Sequence, residues 1–157
     1  MARRRHFDPS KLSSVAVPDI RPPMGVGALV WRYVVFLPLS EQGLGDETVE
    51  TIADAEDINN LRARLSDDFG GVTILLPVMG HGLRDPDDRT SLELNRSLPF
   101  LIYATPVAAS DRYFDRLEQE LREAFSQGVI LVERQEAFLF ASAEGKPKAI
   151  GKRRGSK

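Results

Sequence analysis

Ile58, Leu61, Leu65 and Phe69 fall on a single helical stripe, and the stripe returns 56 residues later as Phe114, Leu117, Leu121 and Phe125. The spacing predicts two amphipathic helices, one over about 54–68 and one over 111–126. After each helix comes a Gly-containing turn and a short apolar run, in which Ile74 and Leu75 repeat as Ile130 and Leu131 without a gap. Asp54, Glu56 and Asp57 complement the dipole at the start of the first helix. Gly70 and Gly71 stop it, as a helix end needing positive φ would. Ser110 is the expected cap of the second helix, with Asp111 in its first turn.

Alternation supplies the strands. Trp31 to Leu39 reads as the first, with Trp31, Tyr33, Val35, Leu37 and Leu39 on one face and Val34 and Phe36 on the other. Val72 to Met79 reads as the second and is also apolar on both faces. Ser91 to Ala104 reads as the third, with Pro99 breaking it early or marking an edge. Val129 to Glu133 reads as the fourth, and Ala137 to Phe140 as a continuation past a bulge or a short added strand. Glu41–Thr51 and Gly80–Thr90 read as polar loops. The order predicts an α+β fold, a ferredoxin-like split β-α-β-β-α-β sandwich: a four-stranded antiparallel sheet with two helices on one face. That architecture carries many unrelated activities, so function has to be argued from particular residues.

The run Leu65-Ser66-Asp67-Asp68-Phe69-Gly70-Gly71-Val72-Thr73, with the later Phe125-Ser126-Gln127-Gly128-Val129-Ile130-Leu131-Val132-Glu133, resembles small bacterial proteins of uncharacterised function and ferredoxin-like type. The resemblance spans about residues 31–140 and rests on turn and core positions. It implies the fold and brings no catalytic residue, since that family has no established reaction. Leu83 departs from it, standing where an aromatic residue is expected.

Charge divides the chain into three. Residues 1–28 hold Pro9, Pro18, Pro22 and Pro23, carry a net charge of +3 and read as an extended or disordered segment. Val15, Val17, Ile20 and Met24 are the residues there that would lie against the body. Residues 29–140 form a body of net charge −10 with no lysine. Residues 141–157 carry +5 and read as a disordered tail. The absence of cysteine excludes disulfides, thiolate nucleophiles and Cys-ligated metals, and His6 and His81 are too few for a multi-histidine site within one subunit. The longest apolar stretch, Met24 to Leu39, is interrupted by Arg32 and is shorter than the roughly 20 residues that span a bilayer. Arg3 to Arg5 are followed by Asp8, Pro9, Ser10 and Lys11 where an export signal needs an apolar core, so a cytoplasmic protein without membrane contact is expected.

Candidate chemistry is sparse. Phe69-Gly70-Gly71 does not fit a phosphate loop, because it turns a helix into a strand and Asp67 and Asp68 would repel an anion. His81 with Asp85, Asp87 and Asp88 could furnish a general base and its carboxylate partner, with Glu93 as a second catalytic candidate. Glu93 and Asn95, if they project onto the open sheet face, would line a cleft with Arg32, Glu133 or Arg134. Neither a cofactor nor a metal is implied. Arg3, Arg4, Arg5, Lys152, Arg153 and Arg154 could neutralise phosphates of a nucleic acid, although the acidic body would repel the same polymer.

Helices on one side leave the other face of the sheet open, and the first and second strands are apolar on both faces. An uncovered face of that kind exceeds what monomers usually expose. The leading expectation is a non-enzymatic binding or assembly module, its sheet face covered by a second copy, a protein partner or residues 12–26. A small cofactor-independent enzyme with a cleft near His81 is the rival, and a nucleic-acid-associated protein working through its tails is the third.

Overall fold

The computed structural model describes residues 6–12, 20–22, 27–43, 45, 48–83, 87–88, 92–127 and 129–139. A 3-10 helix, Pro9–Leu12, precedes β1 (Ala28–Gly43), β2 (Glu50–Thr51), α1 (Ala55–Phe69), β3 (Thr73–Ile74), β4 (Val78–Leu83), β5 (Leu92–Ala104), α2 (Ala108–Phe125) and β6 (Val132–Leu139). The fold is α+β, with two helices and one sheet in which every pair is antiparallel. β1 lies between β5 on one side and β6 and β2 on the other, and β5 carries β3 and β4 on its far side.

Tyr33, Val35 and Leu37 of β1 and Phe100 and Ile102 of β5 are buried in one core with Leu61, Leu65 and Phe69 of α1 and Phe114, Leu117, Leu121 and Phe125 of α2. Both helical stripes therefore meet the same sheet face, and the Tyr33 ring stacks on Phe114 with centroids 3.7 Å apart. Asp54 caps α1 in a reciprocal box with Asp57, which satisfies amide groups that the first helical turn leaves unpaired. Ser110 is not the cap of α2. The helix starts three residues earlier after Val107, and the Ser110 hydroxyl, inside the first turn, donates to the Thr105 carbonyl at 2.6 Å.

Other differences from the sequence expectation have backbone causes. β1 runs well past Leu39, through a register shift between Pro38 and Ser40, and takes part of the expected loop as its partner β2. Pro99 does not end its strand. Its carbonyl accepts from Leu75 N–H at 2.9 Å, so the side where Pro lacks a donor faces the break between β3 and β4. β4 reaches Leu83, so His81 is a strand residue rather than a loop residue. β6 is one continuous strand through Leu139, and Phe140 lies outside the described residues.

The N-terminal segment is not simply extended. Phe7, Leu12 and Ile20 are 2%, 0% and 0% exposed and belong to the core under the helices. Phe7 N–H donates to Asp57 Oδ1 at 3.1 Å, Lys11 pairs with Glu120 at 3.4 Å, and Thr105 N–H donates to the Ile20 carbonyl. Arg21 donates to the Asp67 carbonyl. Residues 12–26 are one of the expected covers of the open sheet face, and of these the described Leu12 and Ile20 lie in the core on the helix side instead. Residues 13–19 and 23–26, with Val15, Val17 and Met24, lie outside the described residues.

Candidate functional site

Cross-strand partners share a face, so the register assigns the surface opposite the helices. Phe36 lies opposite Pro99, and Pro38 and Val78 both lie opposite Ser97. All of these oppose the buried set of Val35, Leu37 and Phe100. Phe36 N–H donates to the Leu131 carbonyl at 3.0 Å, which draws the segment after α2 alongside this face. The result is a groove of about 480 Å³ with Phe36 and Pro38 on its floor, Val78 on one wall, and Val129 and Leu131 on the other. Met79 also borders it, although it lies opposite Arg96 and so on the other face of β4. Met79 is 70% exposed and Val129 77%, and Leu76, two residues before Val78, 85%. Asn95, Ser97 and Gln127 provide polar groups, and His81 borders the groove from the other face of β4, opposite Leu94. Among the described residues, no Asp, Glu, Lys or Arg lines it.

A second groove, of about 530 Å³, opens on the helix side between α2 and the start of β6. There Tyr33 Oη donates to Asp111 Oδ1 at 2.7 Å, and Arg134 Nη1 donates to Asp111 Oδ2 at 2.6 Å. The Arg134 guanidinium stacks 4.1 Å over the Trp31 ring. Burial, then the Asp111 carboxylate, pushes the Tyr33 hydroxyl well above the usual phenol range. A parallel arrangement joins the helices: Tyr113 Oη and Arg64 Nε each donate to Asp68 Oδ2 at 2.6 Å. Burial and the Asp68 carboxylate push Tyr113 up as well. A phenol held protonated in this way donates a hydrogen bond and is a poor general base, so both networks read as supports for the core.

His6, Asp54 and Asp57 bring three potential ligand atoms within 4.8 Å of one another. Both carboxylates already accept backbone amides: Asp54 from Glu56 and Asp57, and Asp57 from Phe7 and Asp54. The cluster caps α1 and ties the N-terminal segment to it.

The residues singled out from sequence do not converge on one cleft. His81 lies opposite Leu94 while Glu93 lies opposite Gly82, so the two side chains leave the sheet on opposite faces. Arg32, opposite Gln135, and Glu133, opposite Val34, share the face away from the helices, whereas Arg134, opposite Tyr33, lies on the helix face. Asn95 is eight residues along β5 from Tyr103, the partner of Arg32, about 27 Å at the usual strand rise. Arg32 donates to the Gln135 side chain, and its buried Nε has no partner among the described residues. Of the set, His81 and Asn95 border the apolar groove, Asn95 from its own face and His81 from the opposite one. Arg3, Arg4, Arg5, Lys152, Arg153 and Arg154 lie outside the described residues, as do Arg84, Asp85, Pro86 and Arg89. The groove walls Val129 and Leu131 were missed as site residues. Their signal in the sequence is the apolar run after α2, whose pattern by itself indicates a strand.

No helix among the described residues is long and apolar enough to cross a membrane. No protein-family model matches the chain, and no curated protein matches it either. Among solved structures, a phage SAM lyase in complex with S-methyl-5'-thioadenosine is similar, with 20% sequence identity and a TM-score of 0.46, covering 76% of this chain and 95% of that one.

Proposed function

We propose that this chain is a non-enzymatic binding and assembly module of ferredoxin-like type, which associates through the apolar face of its sheet. The strand order β6–β1–β5–β4, antiparallel throughout, supports the finer fold assignment. The resemblance of the Phe69–Thr73 turn to small bacterial proteins of that type belongs to the same reading.

One observation carries it. Val78, Val129 and Leu131 stand exposed around a single groove whose floor is Phe36 and Pro38, and Met79, which borders it from the other face of β4 opposite Arg96, is 70% exposed. Removing apolar surface from water contributes roughly 25 cal/mol per Å², so a contiguous set of large exposed side chains favours association over exposure. The lack of charged groups in the lining removes the desolvation cost that an interface would otherwise incur.

The test is light scattering across a concentration series, on the full chain and on the double variant Val129→Asp, Leu131→Asp. The full chain should run as an oligomer and the variant as a folded monomer with an unchanged circular dichroism spectrum. A full chain that stays monomeric and binds no apolar dye contradicts the reading.

The rival reading places a small cofactor-independent enzyme in the same groove. His81 and Asn95 both border it, but Asn95 lies opposite Gly80 and His81 opposite Leu94, so the two side chains leave the sheet on opposite faces. A general-base histidine gains from a carboxylate that orients it, and none lines this groove. His81→Ala abolishing a turnover found for the wild type would establish the enzyme.

A further inference from the structure

The association reading leaves the partner open, and the sheet edge narrows it. We infer that the partner is a second copy of this chain, joined by antiparallel pairing of β4 with its two-fold mate, so that one sheet runs through both molecules. The inference rests on the association reading. Among the described residues β4 pairs with β5 alone, so its outer edge presents unpaired N–H and C=O groups. Edge strands are normally protected by charge, by proline or by a bulge. β6, at the opposite edge, follows that rule with Glu133, Arg134 and Glu136. β4 reads Val-Met-Gly-His-Gly-Leu and carries none of these protections.

Charge decides the occupant. A body of net charge −10 repels its own copy wherever carboxylates would face each other. The groove beside β4 is lined without a carboxylate, an arginine or a lysine, so a second body meets no like charge in that lining. A basic peptide would find no counter-charge on this lining, and a nucleic acid no cation. Gly80 and Gly82 lie on one face of β4, and a Cβ built on Gly80 meets nothing nearer than the Asn95 carbonyl at 4.0 Å. That gap admits side chains from a mate strand. Glycine within a strand often marks such an approach of another backbone. Closed two-fold pairing also satisfies both edges at once, which a head-to-tail contact would not.

The chain has no cysteine, so single cysteines report the geometry directly. Val78→Cys, Met79→Cys, Gly80→Cys and His81→Cys are oxidised mildly beside an Glu136→Cys control on β6. In a two-fold antiparallel pair only residues next to the axis face their own mates within the 4.4–6.8 Å Cα separation that a disulfide accepts. One of the four should cross-link at least tenfold faster than the rest and than the control. Met79→Lys, at an exposed position, should weaken dimerisation at least tenfold without unfolding the chain. Equal, slow cross-linking at all four positions overturns the inference, as does a Met79→Lys dimer of unchanged affinity. If that dimer is instead lost on Val129→Asp, Leu131→Asp substitution, the association reading stands and only edge pairing fails. A chain that is monomeric in every form overturns both.

Discussion

Gly70 and Ser126 close the two helices in the same left-handed conformation, with φ of 82° and 51°, at equivalent places of the repeat 56 residues apart. Gly70 N–H donates to the Ser66 carbonyl at 2.9 Å, and Ser126 N–H reaches the Glu123 carbonyl at 3.5 Å. A residue with a Cβ costs about 1–2 kcal/mol in this region and glycine does not. Gly70→Ala should therefore lower stability by about 1–2 kcal/mol. Ser126→Gly should leave stability unchanged or raise it by up to about 1 kcal/mol, the relief being partly offset by chain entropy. Urea denaturation of the two variants measures both.

The N-terminal anchor should weigh as much as a helix. Phe7→Ala should cost about 3–5 kcal/mol and Leu12→Ala about 2–5 kcal/mol, because each leaves a hole in a closed core. Urea midpoints measured on the full chain check this. Losses under about 1 kcal/mol at both positions would mean that the segment is not part of the core in solution.

Alkaline pH should weaken the fold. The hydroxyls of Tyr33 and Tyr113 are held protonated well above the pH near 10 at which an unfolded tyrosine titrates. Above that pH the unfolded chain has released protons that the native state keeps, so the stability present below it is lost as pH rises. The urea midpoint should fall between pH 9 and pH 11, and less steeply in Tyr113→Phe. A flat profile, or one as steep in the variant, would contradict the buried Asp68–Tyr113 bond.

Helix positions were legible in the sequence because a stripe at 3.6-residue spacing is a local signal, and Leu61, Leu65, Leu117 and Leu121 are buried as that signal requires. Phe7, Leu12 and Ile20 carry no such period. Each is an isolated apolar residue among prolines and charges. Ile20 is expected against the body from its apolar character, but only the contacts of Phe7 with Asp57, of Lys11 with Glu120 and of Ile20 with Thr105 place the segment. The site was less legible for a related reason. A strand turns consecutive residues to opposite faces, so the relation of His81 to Glu93 depended on a register that no spacing along the chain reveals. The apolar walls of the groove were visible as Val78, Val129 and Leu131, but not their meeting beside Phe36.

Any nucleic-acid affinity should reside in the basic ends. Replacing Arg3, Arg4 and Arg5 together with Lys152, Arg153 and Arg154 by glutamine should abolish binding of labelled DNA by the full chain. For the wild type, log K should fall with log salt by about 0.9 per neutralised phosphate on duplex DNA. Binding whose affinity and salt dependence are unchanged by the six substitutions would contradict this assignment.

The central claim is that the chain associates through the apolar groove and the edge beside it. Hydrogen–deuterium exchange of the full chain at two concentrations, one below and one above the onset of association, tests it most directly. Amides of residues 75–83 and 129–131 should slow as concentration rises, while those of β6 from Arg134 to Leu139 stay unchanged. Exchange that is independent of concentration throughout, or protection confined to β6, would contradict the claim.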